Sequence, residues 1–119
     1  MNKTEKIITE VRAKLMFGLE RRILNCDTEY VREVPDHLEF GIIFTMYDLF
    51  PIKVEYDSRK GLAYCIDYGQ RELKVGGFRQ CLTDNDFNIF IREIKQEIEL
   101  RIPDKFLESK GLKDKKTWE

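Results

Sequence analysis

His37-Leu38-Glu39-Phe40-Gly41-Ile42-Ile43-Phe44-Thr45-Met46-Tyr47 is the stretch on which the fold turns. Leu38, Phe40, Ile42, Phe44 and Met46 occupy every second position, with Glu39, Gly41, Ile43, Thr45 and Tyr47 between them. Successive side chains of an extended chain point to opposite faces, so a period of two predicts a strand with one strongly apolar face. Ile43 and Tyr47 make the second face only partly polar, which suits a strand inside a sheet rather than at its rim.

The same alternation continues downstream. Asp48 to Pro51 is a connection. Ile52, Val54 and Tyr56 then alternate with Lys53, Glu55 and Asp57. Asp57-Ser58-Arg59-Lys60-Gly61 reads as a hairpin turn ending in glycine. Leu62, Tyr64, Ile66 and Tyr68 alternate with Ala63, Cys65 and Asp67. Gly69-Gln70 turns the chain, and residues 71–75 return through Leu73 and Val75. Gly76-Gly77 marks a bulge, a kink or a close backbone approach.

Upstream, Pro35-Asp36 interrupts the chain, and residues 29–34 suit a short edge strand or an extended connection. Residues 4–25 read as a helix. Ile7, Val11, Leu15, Leu19 and Ile23 recur every four residues, widened by Ile8, Met16 and Leu24. Asn2 with Glu5, or Thr4 alone, can cap its start. Gly18 is its weak point unless something packs closely there. A second helix begins at Thr83, which has capping-box spacing to Asp86. It presents Phe87, Phe90, Ile91, Ile94, Ile98 and Ile102 as one stripe, and Pro103 stops it. Residues 104–110 suit one more short helix closed by Gly111, and 112–119 a loose charged tail.

The predicted fold class is therefore α+β. An antiparallel sheet of three to four strands carries an N-terminal and a C-terminal helix on its apolar face, as a two-layer sandwich. Residues 1–111 are expected to form one domain, which suits a chain of 119 residues.

Composition narrows the function by exclusion. The chain is 42% hydrophobic with a formal net charge of -1, which is unlike a wholly disordered protein. No apolar run has the length of a membrane span, and no secretory apolar segment opens the chain, so the cytoplasm is the expected compartment. Cys26, Cys65 and Cys81 are odd in number and widely spaced, which suggests neither disulfides nor a zinc knuckle.

Catalytic signatures are missing. His37 is the only histidine, so it is the only imidazole available as a general base or as a partner for a Cys65 nucleophile. A surface histidine and a small buried thiol are the simpler readings. Ser58 and Ser109 lie outside any GxSxG motif. Asp84-Asn85-Asp86 resembles the opening of a calcium loop but lacks its glycine and distal glutamate, and helix capping accounts for it. We expect no enzyme, no cofactor and no metal.

Charge is unevenly placed. Arg12, Lys14, Arg21 and Arg22 precede an acidic stretch that holds Glu29, Glu33, Asp36 and Glu39. Binding needs only a shaped, charged surface, and these four acids are the candidate contacts for a protein partner. The expected role is a non-enzymatic regulator or inhibitor, of the kind that phages and other mobile elements often carry. A homo-oligomer formed along a sheet edge is a further option. The alternative is a DNA-binding module that uses the sheet over 52–80, with Arg59, Lys60, Arg71, Lys74 and Arg79 at its turns and third strand. The stretch from Gly61 to Gly76-Gly77-Phe78-Arg79 is similar to the arm-binding domains of tyrosine recombinases. That similarity covers under half of the chain and rests on one tetrapeptide, so it assigns no family.

Overall fold

The first helix, α1 (Lys3–Leu19), starts where Asn2 accepts a hydrogen bond from the Glu5 N–H at 2.7 Å. The computed structural model describes residues 2–67, 71–81 and 83–102. One turn of 3-10 helix (Glu20–Arg22) follows α1. Then come five strands: β1 (Ile23–Val34), β2 (His37–Met46), β3 (Phe50–Asp57), β4 (Gly61–Asp67) and β5 (Glu72–Arg79). Helix α2 (Asp84–Glu99) closes the described chain. No described helix is long and apolar enough to cross a membrane.

The sheet is an antiparallel meander in the order β1-β2-β3-β4-β5. Leu38, Phe40, Ile42, Phe44 and Met46 of β2 are all buried, as their alternation predicts. Val11, Leu15 and Leu19 of α1, with Phe87, Phe90, Ile91, Ile94 and Ile98 of α2, complete the same core. Both helices therefore cover one face, and the other face is open.

Two boundaries differ from the sequence reading. Helix α1 ends at Leu19 rather than near residue 25. Glu20 takes a φ of 49°, a left-handed conformation that a continuing helix cannot use. Ile23 is then buried while Leu24 is half exposed, which is strand alternation and not a helical stripe. The period of four was carried past its true end by two apolar residues that fit either pattern. The added segment makes β1 twelve residues long and raises the sheet to five strands. Residues 29–34 are its second half.

Glycine acts where close approach requires it. Gly18 lies against Ile91, where an added Cβ would stand 2.9 Å from Cγ2, so it brings α1 close to α2. The Gly76-Gly77 pair sits in a register shift between Leu62 and Tyr64, the bulge that two glycines suggest. Thr83 and Asp86 form a reciprocal capping box at the start of α2. That contact accounts for the calcium-loop likeness of 84–86. The expected short helix at 104–110 and the tail at 112–119 lie outside the described residues.

Candidate functional site

Register builds the open face from single residues of neighbouring strands, because cross-strand partners project to the same side. Ile43, Lys53, Cys65 and Lys74 form one row over β2 to β5. Arg32, Glu39, Asp57 and Gly61 form another over β1 to β4. The first row mixes two lysines with Ile43 and Cys65, the second is mostly charged, and the charged side chains lean on one another. The Lys53 amine lies 2.8 Å from Glu72 and 3.6 Å from Glu29. The hydrogen bond to Glu72 raises the Lys53 pKa despite its partial burial.

Cys65 lies beneath these long side chains and is 2% exposed. Burial, reinforced by Glu72, pushes its pKa up to about 11. Asp57, the residue that touches His37, is four positions from Lys53, which faces Cys65. At about 3.3 Å per residue that is about 13 Å along the sheet, too far for a thiol–imidazole pair. A pKa raised this far leaves very little Cys65 as thiolate near neutral pH, and the thiolate is the reactive form. In the native protein Cys65 should therefore react with a thiol reagent much more slowly than the half-buried Cys26 and Cys81. Time-resolved labelling read by peptide mass spectrometry checks this, and Cys65 labelling first would contradict it.

The four acids expected to make one partner surface are all on the β1–β2 hairpin, but on both of its sides. Glu29 faces Lys53 on the open face. Glu39 is on the same face, 3.0 Å from Arg32 and 3.4 Å from His37. Glu33 points to the helix side, where it accepts a 2.8 Å hydrogen bond from the Thr4 hydroxyl. Asp36 is in the exposed hairpin turn with a φ of 67°. Glu33 and Asp36 line a cleft of about 390 Å³ between the hairpin and the start of α1.

The basic residues are also dispersed. Arg59 and Lys60 project from the β3–β4 turn, with the Lys60 amine 5.5 Å from the centre of the Phe78 ring. Arg71 and Lys74 are exposed at and near the start of β5. Arg79 turns inward instead. It pairs with Glu93, and its guanidinium carbon lies 5.4 Å from the centre of the Phe90 ring. A surface for nucleic acid would have to do without it, and the neighbouring Glu55 and Glu72 would repel phosphate.

One group was not anticipated as a unit. His37, Glu39 and Asp57 bring a ring nitrogen and two carboxylate oxygens within 4.8 Å of one another. The His37 Nε2 is 3.1 Å from Asp57 Oδ2 and 3.4 Å from Glu39 Oε1. Asp57 is 5% exposed, yet it is held ionised. Burial works against the charge, and the Arg59 N–H, the His37 ring and the Lys60 N–H together outweigh it, so its pKa lies below the usual carboxylate range.

The longer of the two edge strands of the described sheet is β1, paired with β2 on one side only. Its second half, Tyr30 to Val34, runs in unbroken register with Gly41 to His37. Its first half is interrupted twice, between Leu24 and Asp27 and between Thr28 and Tyr30. Such bulges twist an edge away from incoming strands. Only the five-residue stretch next to the hairpin turn thus keeps a regular outer edge. Val31 and Val34 are about half exposed on it, at 47% and 51%. Comparison with known proteins finds no family model, no curated protein and no solved structure that matches this chain.

Proposed function

We propose that this protein is a non-enzymatic regulator or inhibitor that binds another protein along the edge of β1. The observation that carries this reading is the regular outer edge of Tyr30–Val34, with two half-exposed valines and three acids around it. An extended segment can add to such an edge through main-chain hydrogen bonds, while side-chain pockets and charges supply the choice of partner.

Charge argues for the partner's chemistry. Glu29, Glu33 and Asp36 against Arg32 leave this edge acidic, so the fitting occupant is an extended segment rich in Lys or Arg. A second copy of the chain suits it poorly. Two β1 edges brought together about a twofold axis would set acid beside acid.

The test uses the full chain as bait in host lysate, with and without nuclease. The affinity of the recovered protein is then measured for wild type and for a Glu29→Lys, Glu33→Lys, Asp36→Lys variant. The expected result is a stoichiometric, nuclease-resistant partner that the variant binds at least about tenfold more weakly, mainly through slower association. The circular dichroism of the variant should be unchanged. Unaltered affinity would overturn the choice of surface. Recovery that disappears with nuclease would transfer the function to nucleic-acid binding, with Arg59, Lys60, Arg71 and Lys74 as the residues to neutralise.

A further inference from the structure

We infer that His37, Glu39 and Asp57 form a binding site for a divalent transition-metal ion of the zinc type, at the hairpin end of the open face. The argument begins with spacing. A tetrahedral zinc ion with bonds near 2.1 Å separates its donors by about 3.4 Å. His37 Nε2 stands 3.4 Å from Glu39 Oε1 and 3.1 Å from Asp57 Oδ2. Both separations from the imidazole are thus within a few tenths of an ångström of that spacing, and all three donor atoms lie within 4.8 Å of one another.

The second argument is orientation. Each carboxylate offers one oxygen to the histidine and has the other engaged elsewhere. Glu39 Oε2 accepts from Arg32 at 3.0 Å. Asp57 Oδ1 accepts from the Arg59 N–H at 2.8 Å and the Lys60 N–H at 3.0 Å. Outer partners of this kind fix ligand oxygens in place, and they are a regular part of metal sites. Their effect here is to aim Glu39 Oε1 and Asp57 Oδ2 at the same point as the imidazole nitrogen.

The third argument is charge and donor type. Two carboxylates and a neutral imidazole balance a dication. One nitrogen and two oxygens suit zinc, cobalt or manganese better than calcium, which takes six to eight oxygens. Partial burial favours the same outcome. The side chains of His37, Glu39 and Asp57 are 20%, 25% and 7% exposed, so an ion there would displace little water yet stay accessible. Three protein donors leave a position for water, the arrangement of open zinc sites. The inference does not depend on the proposed partner, because it concerns the open face and not the outer edge of β1.

The single imidazole makes the test direct. The full chain is titrated with Zn²⁺ in competition with a chromophoric chelator, and His37 is followed by nitrogen-15 NMR. Expected are one zinc per chain, a His37 ring metallated at Nε2, and affinity lowered at least about 10- to 100-fold in His37→Ala and in Glu39→Gln. Asp57→Asn keeps an oxygen for the two turn N–H groups and should weaken zinc similarly with the fold intact. Co²⁺ should bind without a thiolate charge-transfer band, which excludes the cysteines. No saturable uptake, uptake unchanged in His37→Ala, a thiolate band, or equal affinity for Mg²⁺ and Ca²⁺ would each overturn the site.

Discussion

Phe90→Ala should cost about 3–5 kcal/mol of folding stability, the range for removing a fully buried aromatic ring. Phe90 is 0% exposed and sits where α2 meets the sheet. Its ring lies edge-on to Tyr64 at 5.8 Å and to Phe87 at 6.2 Å, and it also receives the Arg79 guanidinium. Truncation opens a cavity between the layers and leaves that guanidinium without its ring. A domain of this size is stable by roughly 5–15 kcal/mol, so the variant should lose about a fifth or more of its margin. Urea unfolding followed by far-ultraviolet circular dichroism measures it, with the midpoint falling and the slope unchanged. Phe17→Ala is the control. Phe17 is 83% exposed on α1, and its loss should stay within about 0.5 kcal/mol. Similar small effects for both would mean that α2 does not pack on the sheet through Phe90.

Gly61→Ala should be the most damaging change of comparable size, by about 2–5 kcal/mol. Two independent costs meet there. Gly61 has a φ of 100°, a conformation that L side chains rarely adopt. An added methyl would also run into the Arg79 carbonyl oxygen and stand 2.6 Å from its carbon. Both are backbone atoms, so no side chain can turn aside to make room. The corner is tied further by Gln80, whose amide donates to the Arg59 carbonyl at 2.7 Å. Gly77→Ala makes the contrast. Nothing lies within 4 Å of its added Cβ, so it should be neutral or slightly stabilising. Chemical denaturation of both variants decides the point, and equal effects would mean that the turn does not pack on the end of β5.

Periodicity made most of this fold legible. The β2 alternation, the Thr83 capping box and the α2 stripe each depend on residues a few positions apart, and each is found as read; of the α1 stripe Val11, Leu15 and Leu19 are buried, while Met16 is half exposed. The start of β1 was illegible because Ile23 and Leu24 extend a period of four that only the left-handed Glu20 interrupts. The histidine–carboxylate group was illegible for a different reason. His37 and Glu39 are two apart in β2, but Asp57 joins them through the pairing of Glu39 with Asp57, 18 positions further along the chain. Such meetings depend on register, which a single strand does not reveal. The acids of 27–39 were visible as a charged run, whereas their division between two sides of the hairpin follows from strand alternation combined with the bulge near Glu29. Arg79 looked like surface charge because its engagement by Phe90 and Glu93 comes from the docking of α2.

The meander also bears on the route by which the chain orders itself. Strands adjacent in space are adjacent in sequence, and the first three connections within the sheet have two, three and three residues. Closing short loops costs little entropy, so the sheet can grow one hairpin at a time without a long search. The most distant pairing of the two helices is different in kind. Lys14 reaches Asp84 across 70 residues, a separation expensive for a free coil to close. A formed sheet shortens that path to the brief links that join each helix to its strand. On this topology, helix association is a late consequence of strand order, and the folding rate is governed by local contacts although the finished core is sealed by the two ends of the described chain.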